Sequence, residues 1–427
     1  MEFIVLSVFL ISYFGIVLKR DKALFFIYGA VLIFFVLQII NFKDIYNFIN
    51  YNVLGIFLGT SILSYLFSFS EIPTYIVEKI EEKEYTVGMV YLIICIVTGL
   101  ISLFVENVAT ILIISPVALK FTKKYNLNPV PLFIGMAISS NLQGCGTMVG
   151  DSPSIILAME TGMNFNDFFY MPAVKIGQET GKLGIFFFVQ FGAIISFFVL
   201  YLFFRKFKKV YKLEKKIIKI KSFIPLSLLI LMIFSLAISS FFYDKFSYFP
   251  LIICLFYGIV GIIWYFFSYK EKTFLKHIDW ESFFLLLGIF IVIGTIKKVG
   301  FIEYIANFLV KIGGKNHFLL YNLIVWLSVF VSAFVDNIPY TMAMISSIKI
   351  LTNSLNLNPY IYLFGLLIGT CIGGNITPIG ASCNVVGIGI LKRNGYKVTF
   401  QQFFKIGFPF TVTAVLGASL IMWLVYN

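Results

Sequence analysis

Apolar residues run along this chain in long blocks. The blocks fall at 3–18, 23–40, 53–69 and 87–104, and a second series falls at 222–243, 248–268, 281–296 and 318–335. Each approaches the roughly 20 residues that an α-helix needs to cross a hydrocarbon core. None alternates along strands of about 10 residues, which excludes a membrane β-barrel. Shifting the first series by 230 positions lands it close to the second. Each series continues with an apolar arm (108–119, 338–351), a long segment interrupted by glycines (130–160, 360–391) and a last helix (183–204, 403–425). The pattern predicts an all-α polytopic membrane protein made of two repeats, 1–204 and 222–427. A hydrophilic linker, 205–221, joins them.

The repeat is written most clearly in its polar positions. Phe104-Val-Glu-Asn-Val returns as Phe334-Val-Asp-Asn-Ile, and Asn126-Leu-Asn-Pro129 returns as Asn356-Leu-Asn-Pro359. Gly144, Thr147 and Gly150 fall on Gly374, Thr377 and Gly380 without a gap.

Composition narrows the class. The 427 residues are 60% hydrophobic and 12% charged, and the mean hydropathy is +0.96. One soluble core cannot bury that much apolar surface. The net charge of +13 sits in short loops, so it reads as membrane orientation and not as a nucleic-acid surface. Glu2 precedes the first block and the basic cluster follows it, so this block reads as a membrane helix, not a cleaved leader.

Charge also bears on topology. Treating 87–121 and 318–352 as re-entrant hairpins leaves five crossings per half, an odd number, which predicts inverted halves. With the linker in the cytoplasm, most of the 33 Lys and Arg residues fall on the linker's side, nine of them in the linker itself. Both termini then face outward across a plasma (inner) membrane. The short amphipathic segments 71–86 and 301–316 predict helices lying in the interface.

Acids inside a membrane cost about 2.5–3.5 kcal/mol on insertion scales and are functional candidates. Glu106 and Asp336 fall at the hairpin tips, and Asp151 falls in the first glycine-interrupted segment; all three are candidate coupling carboxylates. Asn107 and Asn337 follow the tip acids, each amide offering one acceptor and two donors, with Thr110 and Thr341 close by. A single tip would read as an ordinary turn in which these side chains cap a helix; two copies in register, each followed by a glycine-broken helix, favour a binding site. The second set is Asn141, Gly144 and Thr147 in half one, and Gly374, Asn375, Thr377, Ser382 and Asn384 in half two. Broken helices expose carbonyls that hold Na⁺ and N-termini that hold anions. Gly365 and Gly369 have the spacing of simple helix packing.

Gly373-Gly-Asn-Ile-Thr-Pro-Ile-Gly-Ala-Ser-Cys-Asn-Val-Val-Gly-Ile-Gly, Asn394-Gly-Tyr and Phe403-Phe-Lys-Ile-Gly-Phe-Pro409 resemble the arsenite permease/NhaD/melanosomal P-protein branch of the ion transporter superfamily. Val335-Asp-Asn-Ile-Pro-Tyr-Thr341 and Val105-Glu-Asn-Val-Ala-Thr110 resemble its hairpin motifs. The segment Asn141 to Ser154 resembles a further motif, departing at Gln143, Ser152 and Ser154. The resemblance implies inverted repeats, a scaffold and a mobile transport subdomain, elevator movement, a homodimer, and ions held by the tips and broken helices.

The leading expectation is secondary active transport of a small inorganic ion coupled to H⁺ or Na⁺, with Na⁺/H⁺ antiport first because carboxylates exchange the two ions. Arsenite or antimonite efflux is the alternative, suggested by Cys145, Cys371 and Cys383, although Cys is also a common small buried hydrophobe. Na⁺-coupled carboxylate transport is the second alternative. No nucleophile–base pair, His/Cys/acid metal cluster or P-loop is evident, so no enzyme and no cofactor beyond a coupling ion is expected. A partner ATPase subunit stays open.

Overall fold

The computed structural model describes residues 2–19, 22–81, 85–210, 219–245, 248–269, 274–314 and 316–426. Part of the expected linker, 211–218, lies outside them. The chain is nearly all helical. Its first stretch contains α1 (Glu2–Leu18), α2 (Ala23–Val36), α3 (Phe42–Phe48), α4 (Tyr51–Phe69) and α5 (Ile72–Glu81). There follow α6 (Val87–Ser102), α7 (Asn107–Lys124), α8 (Val130–Gly144), α9 (Ser152–Thr161), α10 (Ala173–Ile176) and α11 (Ile185–Phe204). The second half supplies α12 (Ile224–Ser239), α13 (Phe249–Tyr269), α14 (Trp280–Lys298), α15 (Phe301–Gly313) and α16 (His317–Ser332). It ends with α17 (Asn337–Ser354), α18 (Pro359–Gly373), α19 (Ser382–Arg393) and α20 (Phe400–Tyr426). A small antiparallel ribbon pairs Tyr170 with Leu183 and Met171 with Lys182.

Among the described residues, seven helical stretches are long and apolar enough to cross a membrane: Tyr51–Phe69, Ile185–Phe204, Ile224–Phe242, Phe249–Tyr269, Trp280–Lys298, Pro359–Ile376 and Phe400–Tyr426. The apolar block ending at 40 is not one helix. It stops at Val36, and Gln38 then takes a left-handed φ of 56°. Asn41 and Asp44 form a reciprocal cap that starts α3. Residues 71–86 and 301–316 both yield helices, α5 and α15. In α15 the face bearing Ile302, Ala306 and Leu309 is buried, while Glu303, Tyr304 and Phe308 are exposed.

The helices pack in two groups. In one, α4 lies against α13 and α12, with α1, α2 and α14 alongside. In the other, α6 packs on α8, α16 on α18 and α11 on α20. Small residues set these approaches: a Cβ on Gly369 would lie 2.5 Å from the Val325 carbonyl, so α18 and α16 touch backbone to backbone there.

Local hydrogen bonds recur 230 positions apart. Thr98 Oγ1 donates to Ile94 O (2.7 Å) and Ser328 Oγ to Ile324 O (2.6 Å). After α7 and α17 the chain turns through Asn126 and Asn356, with φ of 49° and 52°. Asn tolerates that left-handed conformation better than most side chains.

Candidate functional site

The two α-helical pairs α6–α7 and α16–α17 each fold back through a short turn. The residue ending each turn caps the next helix: Glu106 Oε2 accepts from Ala109 N at 3.0 Å, and Asp336 Oδ1 accepts from Ile338 N at 3.3 Å. The next residues are braced in the same way. Asn107 Oδ1 accepts from Ser102 Oγ at 2.5 Å, and Asn337 Oδ1 accepts from Ser332 Oγ at 2.5 Å.

Facing these turns are two helix breaks. Residues 145–151 separate α8 from α9, and a 3₁₀ turn at Gly374–Ile376 followed by 377–381 separates α18 from α19. Each break is tied to a hairpin turn by a threonine: Thr147 Oγ1 donates to Leu103 O and Thr377 Oγ1 to Ala333 O. The breaks are also joined to each other. Asn141 Nδ2 donates to Asn375 Oδ1 (3.0 Å) and Cys371 O (2.6 Å), and Asn375 Nδ2 donates to Ile138 O (3.0 Å). Asn107 Nδ2 reaches Asn141 Oδ1 at 3.3 Å, linking the first tip to this crossing.

A chamber of about 40 Å³ lies where tips and breaks meet. Glu106, Asn107, Asn141, Asp151, Asp336, Asn337 and Ser382 line it. Asp151 caps α9 through Oδ1, which accepts from Ser152 N at 2.9 Å. Its Oδ2 is buried with no partner at hydrogen-bonding distance among the described residues, and the Cys371 thiol and Asn107 amide face it. A buried acceptor left in that condition costs about 1–3 kcal/mol, more if charged. A proton or cation there removes the cost.

The chamber opens into a cleft of about 500 Å³, with Glu106, Ser282, Asp336 and Ser382 shared between the two. Glu106, Asp279, Glu281 and Asp336 all line this cleft, and no Lys, Arg or His does so among the described residues. Its wall also carries Tyr13, Ser61 and Ser64.

Not every expected site residue reaches the chamber. Thr110 Oγ1 donates to Val105 O (3.2 Å), and Asn384 Nδ2 donates to Gly374 O (2.9 Å) and Thr377 O (3.0 Å). With Thr147 and Thr377, these side chains hold loop backbone. Gly144, Gly374 and Asn375 stand behind the wall, where a Cβ on Gly144 would lie 2.4 Å from Asn107 Oδ1. Thr341 is buried off the chamber wall, its Oγ1 without a hydrogen-bond partner among the described residues. Gln143 does not face the chamber either: it exchanges amide hydrogen bonds of 3.0 and 2.7 Å with Gln190 on α11.

Sequence reading missed the contribution of α14. Asp279, Glu281 and Ser282 belong to its cap and first turn, where Asp279 Oδ1 accepts from Ser282 N at 3.0 Å. The capping pattern was visible in the sequence; its position over the tips was not.

Seven membrane-length helices among the described residues, together with a polar, acid-lined chamber at the meeting of two hairpin turns and two helix breaks, define a multi-pass membrane transporter. The chain belongs to the citrate transporter family (CitMHS), whose family model matches residues 8–359 and 275–427. An uncharacterized transporter of Mycobacterium tuberculosis is 25% identical over 379 residues, covering 88% of this chain and 85% of that protein. The 46 kDa membrane protein of Mycobacterium leprae is 26% identical, with 100% and 99% covered. The human P protein is 24% identical over 442 residues, which span 86% of this chain but 52% of that longer protein. Among solved structures, the YdaH transporter of Alcanivorax borkumensis superposes with a TM-score of 0.54 at 13% identity, covering 87% and 84% of the two chains. At that identity the likeness is one of fold.

Proposed function

We propose that this transporter is a secondary active carrier of a small inorganic cation, exchanging Na⁺ for H⁺ across a plasma membrane. One observation carries the reading: Asp151 presents a buried carboxylate oxygen without a hydrogen-bond partner among the described residues, inside a chamber whose mouth is lined by carboxylates and by no described cationic side chain. A buried charge needs neutralising. A carboxylate that must always hold either a proton or a cation exchanges one for the other. Asn107, Asn141 and Asn337 supply carbonyl oxygens of the hardness that Na⁺ accepts.

In this reading, residues 1–204 and 222–427 are inverted halves joined by a cytoplasmic linker at 205–221, with both termini outside. The recurrence of hydrogen bonds at an offset of 230 supports the duplication. The hairpins, broken helices, α11 and α20 form the moving body. The group containing α4, α12 and α13 forms the fixed one and the surface for a second copy.

Purified protein in liposomes holding a pH gradient and a pH-sensitive dye tests this. Adding Na⁺ or Li⁺ collapses the gradient in the wild type, and Asp151→Asn abolishes the response. A gradient indifferent to both cations between pH 6 and 9 sinks the proposal. The same liposomes take two further arms. Arsenite is the second reading, favoured by Cys383 on the chamber wall. Citrate enters through the family's description, although a free tricarboxylate meets repulsion from the acids of the cleft.

A further inference from the structure

We propose that the groove between the end of α11 and the start of α20 is a headgroup site for an anionic phospholipid. The groove has a volume of about 140 Å³, and none of its lining residues lines the transport cleft or chamber. Lys206, Lys405, Gln402 and Asn128 contribute its polar part, while Phe204 and Ile406 are among its apolar wall residues. Among the described residues no carboxylate lines it, and neither lysine has an ion-pair partner there. The Lys206 ammonium instead rests 5.4 Å from the Phe207 ring centroid.

The lysine at the end of α11 is held on ordered backbone. Gly88 N donates to Phe207 O at 3.0 Å and Val87 N to Lys209 O at 2.9 Å, pinning this segment to the start of α6. On α20, Thr399 and Gln402 cap the first turn reciprocally, which places Lys405 one turn in.

Two lysines beside an apolar wall match the division within a phospholipid, phosphate at the boundary and acyl chains below it. The helices continue that division. Phe400, Phe404 and Phe408 form an exposed stacked stripe on α20, with centroid spacings of 5.9 and 4.9 Å. On α11, Phe198, Tyr201 and Leu202 are exposed as well. Acyl chains have an apolar path on both sides, which a free phosphate would not use. Val130 and Ile134 of α8 also line the groove, so the lipid would clamp the helix that carries Asn141.

The test uses the full-length protein, delipidated in detergent and then titrated with phosphatidylglycerol, phosphatidylcholine or inorganic phosphate. Thermal shift and native mass spectrometry are the readouts, so binding is read apart from transport. Phosphatidylglycerol is expected to stabilise the protein and remain as an adduct. Lys206→Gln with Lys405→Gln weakens that binding about tenfold, whereas Lys208→Gln with Lys209→Gln, outside the groove, leaves it near wild type. Lys206→Arg with Lys405→Arg retains it, which separates charge loss from misfolding. Equal binding of phosphatidylcholine, an equal effect of phosphate alone, or equal losses in the two Gln pairs overturns the proposal.

Discussion

Gly144 is where a single methyl group would disturb the chamber most directly. Its Cβ would meet Asn107 Oδ1 at 2.4 Å, so Gly144→Ala must push Asn107 off its 3.3 Å bond to Asn141. Overpacking of this kind costs about 1–3 kcal/mol. Transport by Gly144→Ala should fall by an order of magnitude or more, with a lower Tm. Gly389→Ala is the control. Nothing lies within 4 Å of that Cβ, and alanine inside a helix is favoured over glycine by about 1 kcal/mol. Tm should fall for Gly144→Ala and hold or rise for Gly389→Ala, with uptake lost only in the first; equal transport by both would remove Asn107 from the site. At this scale the sequence was partly legible. Asn107, Asn141 and Asn337, conspicuous as amides in apolar runs, do come to the chamber wall. Thr110, Thr147, Thr377 and Asn384 were equally conspicuous, yet they bond loop carbonyls. A side chain that lines a chamber and one that holds a turn look alike in sequence.

At the scale of elements, two threonine ties hold the helix breaks against the hairpin turns. Replacing Thr147 or Thr377 by valine keeps the shape and strands a buried carbonyl, Leu103 O or Ala333 O. Each substitution is expected to cost about 1–3 kcal/mol. Hydrogen exchange should rise in both the affected break and its hairpin turn, while the other pair stays protected; exchange unchanged in both would show the ties to be dispensable. A second element-scale prediction concerns α3. Lys298 donates to Asp44 Oδ2 at 2.7 Å, and this bond, with one from Asn41 N, holds the Asp44 carboxyl below the ordinary aspartate range. The carboxyl therefore stabilises the fold above the unfolded-state value, and the contribution disappears as pH falls through the lower folded-state value. Asp44→Asn should lower Tm slightly at neutral pH, and the two melting curves should converge in acid. A constant gap across pH would refute the pairing. The two helix breaks were legible from their glycines, whereas the stop at Val36 within the block 23–40 was not. The role of α14 was not, because which helix crosses above the tips depends on packing between distant segments, and local pattern does not encode it.

For the molecule as a whole, the contact between the two helix groups is the informative place. Asn50 Nδ2, at the start of α4, donates to Glu160 Oε1 at 3.2 Å near the end of α9, and Lys349 Nζ on α17 donates to Glu160 O. If one group slides against the other during transport, the α4–α9 contact must break in every cycle. In a background lacking the five native cysteines, a disulfide between Asn50→Cys and Glu160→Cys should arrest transport, and reductant should restore it. Undiminished turnover with the bond formed would mean that movement does not pass through this boundary.

The crossing of the two helix breaks has one more consequence. Through Asn141 and Asn375 each half of the chain is bonded to the other's broken helix, and Asn107 closes the path to the first tip. In the proposed reading, an ion that re-aims Asn107 also changes what Asn141 can accept, and so what Asn375 receives. Loading at the first tip would then be felt in the broken helix of the second half, and the two halves would not bind as independent receptors.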